Sequence, residues 1–160
     1  MSTRTYVVRA AEDPADLEEC FAVRKEVFVG EQGVPEDLEY DEYDAVAVHV
    51  LAVREDGVPL GTGRLLHGEA AAAKVDGDLS VGSLGRLAVR QEARRLGVGA
   101  ALVRAIEDAA RARGLAAVDL HAQTHALAFY ERLGYEAYGP EYPEAGIPHR
   151  AMRRALQPRG

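Results

Sequence analysis

Residues 84–114 constrain the fold of this chain more than any other stretch. They begin with a short apolar run, 84–89, that suits a buried strand. A basic turn with two glycines follows at 94–99, and apolar residues then recur at helical spacing over 98–110. Gly114 comes after two arginines and is a typical helix stop. The stretch therefore predicts a strand, a turn and a helix in immediate succession.

The turn has the composition of an anion-binding site. A helix N-terminus carries unpaired N–H groups and roughly half a positive charge. Gly97 and Gly99 lack the Cβ atoms that would keep an anion away from those groups, and Arg94 and Arg95 add full charges. The pattern favours a phosphate or pyrophosphate, although a plain joint with solvated arginines would have the same residues. Neither a G-x-x-x-x-G-K-[ST] loop nor a dinucleotide-binding G-x-G-x-x-G is present.

Two motifs resemble those of the GCN5-related N-acetyltransferases, the GNAT family. Residues 94–99, RRLGVG, match that family's [R/Q]-x-x-G-x-[G/A] motif, and residues 126–135, ALAFYERLGY, match its A-x-x-x-Y-x-x-x-G-[F/Y] segment. Further stretches at 24–32 and 146–149 are similar to an ElaA-like branch. The resemblance implies a single GNAT domain over residues 1–160. Its fold would be mixed α/β, a mostly antiparallel central sheet flanked by helices, with two strands that separate to admit acyl-CoA.

The pattern of the remaining chain predicts the elements of such a sheet. Asp56-Gly57 indicates a hairpin, and Gly61-Thr62-Gly63 suits a strand that another backbone or helix approaches closely. Residues 30–44 and 140–146 are predicted to be irregular because they contain glycine and proline. Helices are predicted at 15–29 and 125–133, and further strands at 5–9, 45–54, 60–66, 117–122, 136–138 and 150–154.

The resemblance also implies which residues bind the cofactor. Backbone groups of one strand would bind the pantetheine arm and the acetyl carbonyl, and the turn would bind the pyrophosphate. Gln123 stands where the family often has an asparagine that contacts the cofactor, which makes that contact an open question. The implied cofactor-binding residues are Leu87, Ala88, Val89, Arg94, Arg95, Leu96, Gly97, Val98, Gly99, Ala100 and Gln123.

Acetyl transfer to an amine needs a proton acceptor for the nitrogen and a proton donor for the leaving thiolate. Tyr130 matches the family tyrosine that protonates the thiolate, and the alternative is an aromatic side chain packed on the core. Glu31 and His149 are the candidate catalytic bases, with Glu141 and Glu144 on the same terminal segment as His149. Imidazole titrates near neutral pH, which suits a base. A solvated or structural role stays open for each of the four.

Charge and composition exclude several classes of partner. The net charge of −7 lacks the basic footprint of a nucleic-acid-binding protein, so no nucleic acid is expected. The acidic segment 37–44 is either a solvated loop or a surface that attracts a cationic acceptor. No apolar run approaches the ~20 residues of a membrane span, so no membrane association is expected. The single cysteine, Cys20, fits a cytoplasmic protein and a core position, and His121 and His125 make a poor metal site without a third ligand.

These observations lead to one preferred function and two alternatives. The preferred function is an N-acetyltransferase that moves the acetyl group of acetyl-CoA to a primary amine of a small molecule or peptide, by direct attack in a ternary complex and without a metal. A non-catalytic acyl-CoA-binding regulatory module is the alternative on the same fold. An acyl-homoserine-lactone synthase also shares it, but those proteins carry early tryptophans and this chain has none. A homodimer is an open possibility because dimers are common among relatives.

Overall fold

The computed structural model of the protein describes residues 6–156. A seven-stranded sheet runs through the molecule in the order β1-β2-β3-β4-β5-β7-β6. Only β4 and β5 pair in parallel, and every other neighbouring pair is antiparallel. The strands are β1 (Tyr6–Ala10), β2 (Val48–Arg54), β3 (Pro59–Leu66), β4 (Val81–Val89), β5 (Ala117–Gln123), β6 (Glu136–Glu144) and β7 (Ile147–Ala155). The predicted mixed, mostly antiparallel fold is confirmed.

Helices cover the sheet, and none in the described part of the chain has the length and apolarity to cross a bilayer. The α-helices are α1 (Pro14–Arg24), α2 (Glu36–Glu39), α3 (Val98–Ala112) and α4 (Leu127–Arg132), and a π-helix spans Lys25–Glu31. Single 3₁₀ turns lie at Glu42–Ala45, Gly68–Ala70, Ala72–Lys74, Gln91–Ala93 and Thr124–Ala126. The predicted strand–turn–helix unit is therefore β4, the turn and α3.

Helix α3 packs on the sheet so closely that β3 needs glycine. Leu102 and Ile106 on α3 are completely buried. A Cβ on Gly61 would lie 3.0 Å from Leu102 Cδ1, and one on Gly63 would lie 2.8 Å from Ile106 Cδ1. The expectation that this glycine pair serves a close approach is confirmed. Each fully buried aliphatic side chain of this kind contributes about 1.5–3 kcal/mol.

The two parallel strands separate halfway along their length. They pair only from Val81 opposite Ala117 to Leu84 opposite Leu120. Just beyond Leu84, a bulge inserts an extra residue into β4 relative to β3, and Arg86 takes a φ of 51°. Beyond the bulge, β4 stays paired with β3 and β5 stays paired with β7, so β4 and β5 move apart. An opening in the sheet results.

Two sequence predictions are wrong in detail. The helix predicted over 15–29 is α-helical only to Arg24 and continues as a π-helix, because seven residues are too few for periodicity to distinguish the wider turn. The predicted loop 140–146 is mostly strand, since β6 and β7 form a long hairpin around Ala145 and Gly146. Prolines are tolerated in β6 because it is the edge strand of the sheet. Of the predicted first strand, residue 5 lies outside the described residues.

Candidate active site

A cavity of about 1370 Å³ fills the opening between β4 and β5. Leu87 and Val89 line its β4 side, and His121 and Gln123 line its β5 side. One end is closed by the turn before α3, and the other reaches the β6–β7 hairpin and the loop after β3. Pockets for a single small molecule have about 300–1,000 Å³. The cavity therefore has room for two reactants.

The turn at one end presents the start of α3 to the cavity. Gly97 is the N-cap residue with a φ of 78°, a conformation that favours glycine. The first N–H that bonds back into the helix is that of Ala101, which donates to the Gly97 carbonyl at 3.0 Å. The N–H groups at the start of the helix have no acceptor within the helix, so this end suits an anion.

Gly99 has a packing role that the motif alone does not predict. A Cβ at this position would lie 3.2 Å from the ring of Phe129 and 3.7 Å from Val89. The absence of a side chain thus lets Phe129 of α4 pack against the start of α3, which gives glycine a structural role here.

Most of the predicted cofactor-binding residues line the cavity, and two do not. Ala88 is buried against Val23 and Val27 on the opposite side of the sheet. Leu96 is exposed, and its carbonyl accepts a hydrogen bond from the Tyr6 hydroxyl. The residues of the predicted set whose atoms line the cavity are Leu87, Val89, Arg94, Arg95, Gly97, Val98, Gly99, Ala100 and Gln123.

Glu31 is not brought into the cavity. Its carboxylate accepts a hydrogen bond from Arg94 Nη2 at 2.7 Å, and Arg94 Nε also donates to the Val89 carbonyl at 3.0 Å. Glu31 itself does not line the cavity, whereas its partner Arg94 does. Glu31 is therefore poorly placed to take a proton from a molecule bound inside.

Tyr130 lies in the cavity wall beneath the start of α3. It is buried, with ring contacts to Phe129 at 4.9 Å and Tyr135 at 6.0 Å between centroids. Burial raises the pKa of the Tyr130 phenol, because charge on the oxygen would be poorly solvated. The phenol therefore keeps its proton at neutral pH.

Gln123 ends β5 at the middle of the cavity. Its Nε2 donates to Gln32 Oε1 at 2.8 Å, and its Oε1 lies 2.5 Å from His125 Nε2. The amide is thus held between the end of the π-helix and the turn that precedes α4. His125 Nε2 is occupied by this contact.

His149 lies at the opposite end of the cavity from the glycine turn. Its Nδ1 is 2.7 Å from the Ile147 carbonyl. A carbonyl only accepts hydrogen bonds, so Nδ1 carries the proton and the neutral ring has its lone pair on Nε2. Glu144 Oε2 lies 3.9 Å from that Nε2. Glu144 and His149 both line the cavity, whereas Glu141 does not.

Sequence reasoning missed two polar neighbours of His149. His121 was considered only as a metal ligand, and Tyr142 fell in a predicted loop. In the structure, His121 Nδ1 and the Tyr142 hydroxyl form a hydrogen bond. The ring centroids of Tyr142 and His149 lie 5.9 Å apart. The strict alternation of Asp119, His121 and Gln123 along β5 was the available signal, because alternate residues of a strand share a face.

Three of the four described carboxylates of the acidic segment are held in ion pairs with arginines. Arg24 pairs with Asp44 at 2.7 Å and with Glu39 at 2.6 Å. Arg64 pairs with Asp41 and Asp44 at 2.7 and 2.8 Å. Glu39, Asp41 and Asp44 and three guanidiniums, the third from Arg86, balance one another, so the hypothesis of a cationic acceptor is not supported for these three carboxylates. Glu42 is exposed. The partners come from α1, β3 and β4, which the local sequence does not reveal.

Comparison with known proteins gives one consistent family. Residues 11–156 match the family model described as acetyltransferase (GNAT) domain. The uncharacterised N-acetyltransferase YjcF of Bacillus subtilis is 37% identical over 145 residues, which cover 90% of this chain and 96% of that protein.

Solved structures agree with this result. An acyl-CoA N-acyltransferase from Pseudomonas aeruginosa superposes with a TM-score of 0.77 at 34% identity, over 94% of this chain and 98% of that one. Escherichia coli ElaA superposes with a TM-score of 0.76 at 26% identity, over 93% and 97%. The chain belongs to the GNAT family and is an acyl-CoA-dependent N-acetyltransferase.

Proposed function

We propose that the enzyme transfers the acetyl group of acetyl-CoA to a primary amine of a small molecule or peptide, within one GNAT domain formed by residues 1–160. The amine attacks the thioester directly while both reactants occupy the cavity. The observation that carries this proposal is the cavity itself, which joins the N-terminus of α3 at one end to a polar, histidine-containing wall at the other. Holding both reactants in one cleft supplies much of the rate acceleration.

The cofactor end is formed by the glycine turn and by β4. Backbone N–H groups of residues 97–100, with Arg94 and Arg95, bind the pyrophosphate of acetyl-CoA. The pantetheine arm lies along Leu87–Val89 beyond the bulge, where one edge of β4 has no strand partner. Gln123 faces the arm from β5.

The chemistry requires proton transfers at two atoms. The amine nitrogen bonds to the acetyl carbon, the C–S bond breaks, and the CoA thiolate receives a proton from Tyr130. His149 accepts a proton from the attacking nitrogen at Nε2, the ring atom that its bond to Ile147 leaves unprotonated. The Tyr130 phenol regains its proton after product release.

Calorimetric titration with acetyl-CoA tests the cofactor end. Ala100→Glu puts a carboxylate on the cavity-lining side of the first turn of α3 without a change in backbone conformation. Ala101→Glu adds the same charge one residue further on, at a position that does not line the cavity, and is the matched control. We expect wild type and Ala101→Glu to bind and Ala100→Glu to lose affinity by at least tenfold. Equal affinity of all three proteins for acetyl-CoA would contradict pyrophosphate binding at this turn.

Release of CoA thiol in the presence of a panel of primary amines tests the reaction. We expect amine-dependent release by the wild type and a loss of about 10²-fold or more in kcat for His149→Asn. Binding of acetyl-CoA without release for any amine would contradict the proposed acceptor class. It would favour the non-catalytic acyl-CoA-binding module instead.

A further inference from the structure

One face of the sheet carries an unusual set of polar side chains across its last three strands. Asp119 and His121 alternate along β5, and Tyr138 and Tyr142 lie on β6. On β7, which runs between them, Ala151 is opposite both His121 and Tyr138. Because alanine is small, side chains from β5 and β6 meet above it.

The register of β6 is what brings Tyr142 to this face. Tyr138 pairs with Ala151 and Tyr142 with His149, so four residues of β6 span the length of two residues of β7. The excess is taken up by a bulge in which Gly139 has a φ of 73° and its carbonyl accepts from Arg150 Nε at 2.9 Å. The bulge directs Tyr142 over the end of β5, where its hydroxyl hydrogen-bonds to His121 Nδ1.

Asp119 supplies a buried negative charge behind His121. Its carboxylate has no exposed surface. Oδ2 accepts hydrogen bonds from Arg153 Nε at 3.0 Å and from the Tyr138 hydroxyl. Oδ1 is buried without a hydrogen-bond partner in the described chain, and it lies 3.5 Å from His121 Nε2. An unpaired carboxylate oxygen next to Nε2 favours the ring form that has its proton on that nitrogen.

With the proton on Nε2, the Nδ1 of His121 can only accept. The phenol of Tyr142 then donates to His121, and its own oxygen lone pairs are open to the cavity, which both residues line. Burial, and after it the charge of Glu144, raises the pKa of Tyr142 to about 12, so the phenol is neutral at rest. Tyr142 can therefore transfer a proton without remaining as a phenolate.

We propose that Asp119, His121 and Tyr142 form a proton relay that converts the acceptor from ammonium to amine before it attacks. This rests on the proposed function. The ammonium nitrogen gives one proton to the Tyr142 oxygen while the phenol proton passes to His121 Nδ1. The imidazolium so formed is stabilised by Asp119. After product release its Nδ1 proton returns to the Tyr142 oxygen while the phenol proton passes to water in the cavity, which restores the resting forms.

The relay accounts for the first of two protons that must leave the nitrogen. A primary ammonium ion loses one proton to become a nucleophile and another after the C–N bond forms. His149 serves the later step and the relay the earlier one. The titratable or charged groups around His121 are Asp119 on β5, Tyr138, Tyr142 and Glu144 on β6, and His149 and Arg153 on β7.

Long-range proton–nitrogen NMR spectra test the ring forms without any turnover. We expect His121 to carry its proton on Nε2 and His149 on Nδ1, with His121→Gln and His149→Gln used to assign the signals. Tyr142→Phe should shift the Nδ1 resonance of His121. Tyr138→Phe removes a phenol bound to the same carboxylate and should leave that resonance in place. A proton on His121 Nδ1 would overturn the relay, because the phenol would then have no acceptor there.

Turnover of two amines of similar size tests the role. Ethylamine is an ammonium ion at neutral pH, whereas trifluoroethylamine is largely uncharged. We expect Tyr142→Phe and His121→Gln to lose about 10²-fold in kcat/KM for ethylamine and less than about threefold for trifluoroethylamine. The loss for ethylamine should shrink as the pH is raised. Equal losses for both amines would mean a merely structural role. If the wild type binds acetyl-CoA but acetylates neither amine, the proposed function fails. The NMR spectra still show which nitrogen of His121 carries the proton, and a proton on Nδ1 would still overturn the relay.

Discussion

Arg24 and Asp44 form a fork-like pair, with Nη1 2.7 Å from Oδ1 and Nη2 3.1 Å from Oδ2. The pair joins the end of α1 to the short turn that precedes β2. Arg24 is almost fully buried, and Glu39 and Arg64 extend the pair into a network on the wall of the cavity. Removing one partner of an ion pair this deeply buried lowers the free energy of unfolding strongly, because the remaining partner is an uncompensated buried charge.

The protein is expected to lose stability in acid through Asp44. Burial opposes the ionisation of this carboxyl, but the hydrogen bonds and charge of Arg24 outweigh it and lower the pKa from 3.8 to about 2. A pKa lower in the folded state means that the stabilisation is present above pH 3.8 and is lost as the pH falls toward 2. The shift corresponds to about 2 kcal/mol.

The free energy of unfolding by urea, measured across this pH range, checks that expectation. Asp44→Asn is the reference variant, because it cannot titrate at this position. The difference in stability between wild type and variant should narrow by about 2 kcal/mol between about pH 5 and pH 2. A constant difference would show that Asp44 has an ordinary pKa in the folded protein.

Removal of Arg24 should destabilise the fold strongly. Arg24→Met leaves the buried carboxylate of Glu39 without its closest cation, and we expect a loss of about 3–5 kcal/mol in the free energy of unfolding. Arg24→Met combined with Glu39→Met should cost less than the sum of the two single variants. Additive effects in this double-mutant cycle would argue against the pair.

Gly63→Ala should destabilise the protein through the packing of α3. The new methyl group would lie 2.8 Å from Ile106 Cδ1 and 3.3 Å from Leu87 Cδ1, and we expect a loss of about 1–3 kcal/mol. Gly85→Ala on the neighbouring strand is the control, since a Cβ there meets nothing within 4 Å. Thermal unfolding of the two variants should give a clearly lower midpoint for Gly63→Ala. Equal midpoints would mean that α3 can move away from β3.

Tyr130→Phe should slow turnover and leave cofactor binding intact. Loss of the phenol proton donor is expected to reduce kcat by about 10²-fold. The ring and its contacts with Phe129 and Tyr135 remain, so the affinity for acetyl-CoA should change by less than about threefold. Steady-state kinetics together with calorimetry separates the two effects. Undiminished kcat would exclude Tyr130 as the acid.

The sequence was most informative where its signals are local. The β4–turn–α3 unit follows from an apolar run, a glycine turn and helical spacing, each of which depends on near neighbours. The outer part of the β6–β7 hairpin was predicted as a loop because Pro140 and Pro143 usually mark loops, and only the position of β6 at the sheet edge makes them acceptable. That error also hid Tyr142.

Long-range contacts limited prediction of the candidate site. The partners of Asp41 and Asp44 lie on α1, β3 and β4, twenty residues or more away, so the acidic segment looked solvated or ligand-binding. Glu31 pairs with Arg94, 63 residues along the chain, and does not itself line the cavity. Charge patterns in sequence show which groups need partners, and only the fold shows which partners they find.

The bulge at Arg86 leaves the sheet with two inner edges. Beyond it, β4 and β5 each keep a neighbour on one side only, and their other sides face the cavity. Backbone amides on those sides must be hydrated when the cavity holds only water. A molecule that carries its own amides completes the sheet from within, so bound co-substrate should slow hydrogen–deuterium exchange along both strands. The bound co-substrate would then take the place of a strand between β4 and β5.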